Sequence, residues 1–107
     1  MSFKCIFAMV KPDLTDDVVT AAKKAGATGA TIIPAKGTGL REAKSFFGLT
    51  LEVRTDIILF LLQEEKIPPI LEVIEKAGRF DEPGTGIAFI VPVEEVLGLG
   101  SQIGESK

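Results

Sequence analysis

The chain has 107 residues, enough for one domain with a single core. Twelve basic against fifteen acidic residues leave a net charge of -3, which argues against nucleic acid as the main partner. Histidine is absent and cysteine occurs once, which excludes a Ser-His-Asp triad, a Cys-His pair, phosphohistidine chemistry, an internal disulfide and a plausible zinc set.

Phe3 to Val10 reads as a strand. Phe3, Cys5, Phe7 and Met9 point one way, and Lys4, Ile6, Ala8 and Val10 the other. Both faces are largely apolar, so Cys5 reads as a small core residue. Lys11-Pro12-Asp13 ends the strand, with Asp13 as candidate N-cap of a helix from about Leu14 to Ala25. Leu14, Val18, Ala21, Ala22 and Ala25 form its apolar stripe, and Gly26 is its stop. A second strand runs from Gly29 to Ala35, followed by a long connection from Gly37 to about Arg54 whose latter part, Leu49 to Arg54, alternates like a β arm. Asp56 to Leu62 is a third strand. Ile67, Ile70, Leu71, Ile74 and Ala77 mark a second helix, opened by Pro68-Pro69 and closed by Gly78. The turn Gly84 to Gly86 leads into a fourth strand, Ile87 to Val91, and the tail after residue 99 is expected to be flexible.

The order β-α-β-β-α-β predicts an α+β, ferredoxin-like fold: a four-stranded antiparallel sheet with both helices on one face. The first and third strands are expected at the centre. The second and fourth each carry a proline and are expected at the edges. The other sheet face, with Ile6, Ala8 and Val10 or their counterparts in Ile57 to Leu62, then needs a cover. A hydrophobic content of 46% and a mean hydropathy of +0.32 point the same way, toward an oligomer. Phe3 to Val10 lacks the basic flank and cleavage site of a signal peptide, and no apolar run is long enough to span a bilayer. A cytoplasmic protein that is not membrane-inserted is expected.

Two glycine turns stand at strand ends, Lys36-Gly37-Thr38-Gly39 and Gly84-Thr85-Gly86. Glycine turns of this kind let backbone N–H groups wrap an anion, or are simply tight turns. Together they suggest one ligand crevice. Arg41 and Arg54 bracket the long connection, as candidate phosphate-binding cations or as ordinary surface charge. Phe46-Phe47-Gly48-Leu49 places two adjacent aromatic residues in a loop, as a partner anchor or as part of a subunit interface. Glu94-Glu95 reads as a solvated strand end rather than a catalytic pair.

The chain resembles the PII family of signal-transduction proteins. The resemblance is carried by Lys11-Pro12, Asp16-Asp17-Val18, Gly26, Thr28-Gly29-Ala30-Thr31, Lys36-Gly37-Thr38-Gly39 and the stretch Gly84-Thr85-Gly86 to Pro92-Val93-Glu94-Glu95-Val96. It covers nearly the whole chain, as one domain over residues 1–99 with a T-loop-like arm at 40–54 and a tail at 100–107.

The resemblance implies a cytoplasmic homotrimer without enzymatic activity. It would bind a small effector, an adenine nucleotide such as AMP, ADP or ATP, in clefts between subunits, and control a transporter or enzyme through its loop. Regulation of nitrogen or related nutrient use is implied. The implied ligand residues are Thr31, Lys36, Gly37, Gly39, Arg41, Arg54, Gly84, Thr85 and Gly86, with Phe46, Phe47 and Leu49 for a partner. No metal is expected. The chain departs from the family where Ile87 replaces a lysine, where Gly98 and Gly100 replace two arginines, and where Arg41 replaces a glutamine. It also has no tyrosine to be uridylylated. These departures weigh against a triphosphate with magnesium and against 2-oxoglutarate. The alternatives are a ligand-free PII-derived adaptor docking on a membrane protein through Phe46-Phe47, and, less favoured, an enzyme on the same fold.

Overall fold

The computed structural model describes residues 2–37 and 53–99. Its elements are β1 (Phe3–Val10), α1 (Thr15–Lys24), β2 (Thr31–Gly37), β3 (Val53–Gln63), α2 (Ile67–Ala77) and β4 (Gly86–Val93). The sheet is antiparallel throughout, in the order β2-β3-β1-β4, so β1 and β3 are central and β2 and β4 are the edges. This is the ferredoxin-like α+β fold that the element order predicts.

The core lies between the sheet and the two helices. Ile6, Ala8 and Val10 of β1 and Ile58, Phe60 and Leu62 of β3 meet Val18 and Ala22 of α1 and Ile67, Ile70 and Ile74 of α2. The helix stripes are those expected from spacing. The sheet face is not: Ile6, Ala8 and Val10 are fully buried beneath the helices, and the uncovered face carries Phe3, Cys5, Phe7 and Met9. A strand apolar on both sides carries no sign of which side the helices take. Cys5 accordingly lies half-buried on the uncovered face rather than in the helix-covered core.

The open face is built of rows running across the strands. One row is Ile33, Ile57, Met9 and Ile87; the next is Thr31, Leu59, Phe7 and Phe89; a third is Leu61, Cys5 and Val91. The Phe7 and Phe89 rings stack 5.3 Å apart and 7° from parallel. Ile33, Leu61, Ile87, Phe89 and Val91 are all exposed.

The local boundaries have physical causes. Pro12 opens a 3-10 turn (Pro12–Leu14) ahead of α1, so Asp13 sits inside that turn and no side chain caps it. The start of α1 is tied down instead by Thr15, whose buried hydroxyl donates to Asp56 Oδ2 at 2.6 Å. That also places a carboxylate of β3 at the positive end of the helix. β2 lies two residues further along than the spacing suggests, because its partners are Val53 to Leu59 of a β3 that starts earlier than Asp56.

The helices end in matched ways. After α1, Ala27 N donates to Ala22 O and Gly26 N to Lys23 O; after α2, Phe80 N donates to Glu75 O and Arg79 N to Lys76 O. Both are Schellman caps, whose penultimate position takes positive φ. Gly26 fills that position in the first (φ 122), but Arg79 fills it in the second (φ 56). Gly78 is one residue early. A Cβ there would lie 2.5 Å from the Phe80 ring, so this glycine makes room for Phe80 rather than turning the chain.

Candidate functional site

Lys36 and Gly37, the described part of the first glycine turn, and Gly84 to Gly86 of the second lie at the same end of the sheet but on opposite edges. Pro34, Asp56, Val10 and Gly86 form one row across all four strands. Two residues beyond that row stand Lys36 at the β2 edge and Gly84 at the β4 edge. Three strand spacings, about 14 Å, separate the edges. A single chain therefore does not close one crevice around both turns, as the sequence suggested.

At the β4 edge, a cleft of about 640 Å³ is lined by Phe80, Asp81, Glu82, Pro83, Gly84, Gly86 and Ile87. Among the described residues its polar side chains are the two carboxylates, and no cation lines it. The turn at its base is held from within. Gly84 adopts φ 75. Thr85 is buried, and its hydroxyl lies 2.6 Å from Arg79 O and 3.0 Å from Glu82 O, so this side chain braces the loop rather than reaching into the cleft. A Cβ on Gly86 would meet the Met9 carbonyl oxygen, a backbone atom of β1, and Phe80 besides. Gly86 is thus required by close strand packing.

At the β2 edge, Lys36 stands directly opposite Arg54 in register, and both are exposed on the helix-bearing side of the sheet. Gly37 ends β2, with open space where its Cβ would be. Thr31 is not brought to these residues. It lies five positions back along β2, about 17 Å away, and its odd position puts it on the other sheet face. Gly39, Arg41, Phe46, Phe47 and Leu49 lie outside the described residues, as does Gly100. Sequence reading missed the Thr15–Asp56 bond and the carboxylates Asp81 and Glu82. An aspartate in an otherwise apolar strand, and an acidic pair just before a glycine turn, were the available signals.

Burial pushes the Cys5 thiol above its ordinary range, which suppresses the thiolate. Among the described residues no cluster of His, Cys, Asp or Glu could hold a metal ion. No helix among them is long and apolar enough to cross a membrane.

This architecture matches that of a solved PII protein. The structure of Arabidopsis thaliana PII bound to citrate superimposes with a TM-score of 0.75, covering 92% of this chain and 83% of that one at 22% identity, a likeness of fold. The family description "Nitrogen regulatory protein P-II" matches residues 3–101. The chain belongs to the nitrogen regulatory protein P-II family, whose members are named as regulators rather than enzymes. Its relatives include the nitrogen regulatory protein P-II of Azospirillum brasilense, 29% identical over 99 residues, and that of Pyropia yezoensis, 30% identical over 99, each match covering 88% of both chains. The nifHD-region GlnB-like protein 1 of Methanobacterium ivanovii is 30% identical over 93 residues, covering 86% of this chain and 89% of that one.

Proposed function

We propose that the protein is a cytoplasmic homotrimeric signal-transduction regulator, that it senses a small effector in clefts between subunits, and that it controls a transporter or enzyme of nitrogen or related nutrient use through the loop after β2. One observation carries the reading. Lys36-Gly37 and the turn Gly84 to Gly86 share one end of the sheet but lie on opposite edges, and the face between those edges is largely apolar. Monomers rarely expose such a face. A ring of copies that buries it sets the β4 edge of each subunit beside the β2 edge of the next, and each cleft then has both turns.

The effector we favour is an adenine nucleotide of low charge, AMP or ADP ahead of ATP. The cleft lining supports that order, because Asp81 and Glu82 oppose a highly charged anion and no cation among the described lining residues offsets them. Lys36 and Arg54, with Arg41 from the loop, would contribute positive charge from the neighbouring subunit. Thr85 and Gly86 would act by shaping the loop, and Gly84 by its backbone. Phe46, Phe47 and Leu49 would meet the target protein.

Calorimetric titration of the native protein with AMP, ADP and ATP tests this. Saturable heat, strongest for the less charged nucleotides, supports the reading. Flat titrations with all three remove the adenine effector and leave the ligand-free adaptor. Gly86→Val is unsuited as a binding-deficient control, since its side chain collides with β1.

A further inference from the structure

The charges on the two sheet edges are opposite. At one edge Lys36 and Arg54 face each other across β2 and β3, and both are exposed. At the other, Asp81 and Glu82 are exposed in the loop between α2 and β4 and line its cleft. Both groups lie at the same end of the sheet, beyond the row Pro34, Asp56, Val10 and Gly86. Lys36 and Arg54 share the register parity of Ile58, which is buried beneath the helices, and Asp81 and Glu82 lie in the loop that follows the cap of α2. Lys36 and Arg54 therefore belong to the helix-bearing side, while the cleft of Asp81 and Glu82 opens at the β4 edge and reaches Ile87 at the border of the open apolar face.

We infer that in the assembled protein Lys36 and Arg54 of one copy pair with Asp81 and Glu82 of the next, so that each cleft is closed by ion pairs across the subunit boundary. The inference rests on the ring proposed above and assigns what fills its clefts without effector. Charge complementarity selects the arrangement. Joining two β4 edges would bring four carboxylates together, and joining two β2 edges would bring four cations together. Only the head-to-tail contact, β2 edge to β4 edge, sets unlike charges against each other. Such a contact is heterologous, and it closes a ring when its rotation allows. The apolar face supplies the adhesion, while the rim charges set which edge meets which.

A consequence follows for the cleft. Asp81 and Glu82 hold the neighbour's cations in the way an anionic effector would, so an effector must displace them to bind.

The test measures subunit association of the full-length chain by sedimentation equilibrium at low and high salt, with circular dichroism as a check on folding. The variants are Lys36→Glu/Arg54→Glu, Asp81→Lys/Glu82→Lys, and the quadruple exchange. Either one-sided reversal should weaken association at low salt by about tenfold, the scale expected of two exposed pairs turned repulsive. The quadruple exchange should restore it, and 1 M salt should narrow the differences. If a reversed variant fails to fold, the neutral pair Lys36→Gln/Arg54→Gln replaces it, and a lost salt dependence is then expected. An oligomeric wild type indifferent to these changes overturns the inference alone. So does weakening that the quadruple exchange does not repair. A monomeric wild type overturns both the inference and the ring beneath it.

Discussion

The turn before β4 and the turn after β2 look alike as sequence, and they differ in what their glycines do. At Gly84–Gly86 the reasons lie inside the fold: a positive φ at Gly84, a hydroxyl brace at Thr85, and a strand too close for any Cβ at Gly86. At Gly37 the fold makes no such demand, since the space around it is open. The first turn is braced by its own neighbours, while Gly37 at the end of β2 meets no such constraint. A glycine in a motif is thus not by itself a sign of ligand contact. The neighbours of its missing Cβ tell the two uses apart.

Substitutions can break or sharpen this contrast. Gly86→Ala should be the most damaging, about 3 kcal/mol or more, because a backbone carbonyl must move to admit the methyl group. A urea midpoint close to wild type would show that the turn is not held as described. Thr85→Val should cost about 1–3 kcal/mol by removing a buried donor from the loop, while Thr85→Ser keeps most of that stability. Arg79→Gly should raise stability by about 1 kcal/mol, since arginine occupies the left-handed position where the first half of the chain uses Gly26. A lower melting temperature would mean that the Arg79 side chain contributes more than its backbone costs. Gly37→Ala should change stability by no more than about 0.5 kcal/mol. Any effect it has should appear in effector binding instead.

Much of the fold was legible because the pattern was strong. Ile67, Ile70 and Ile74 recur with helical spacing, and the prolines of the second and fourth strands marked the sheet edges. The sidedness of the sheet was not legible. β1 alternates between two apolar sets, and only the packing of Val18, Ala22, Ile70 and Ile74 decides that Ile6, Ala8 and Val10 go inside. Asp13 looked like a cap because caps are read from residue type, but Pro12 had already begun a 3-10 turn. Of the site, the two glycine turns were legible as motifs. Their placement on opposite edges follows from the expected strand order rather than from the motifs themselves. Asp81 and Glu82 gained meaning only once they lined a cleft with no cation among its described residues.

The same sidedness supplies a chemical probe. Cys5 lies on the open face, with its thiol held above its ordinary range. It should react with alkylating reagents more slowly than a free thiol at mildly alkaline pH, and more slowly still when the face is covered.

The central claim is that the open face, with its rows of Ile33, Ile57, Met9 and Ile87 and of Leu59, Phe7 and Phe89, is an interface between copies of this chain. Light scattering coupled to size exclusion measures it most directly. The account predicts one species with the mass of three 11.4 kDa chains, persisting at low micromolar concentration. A single species of 11.4 kDa, with the open face still exposed, would contradict it.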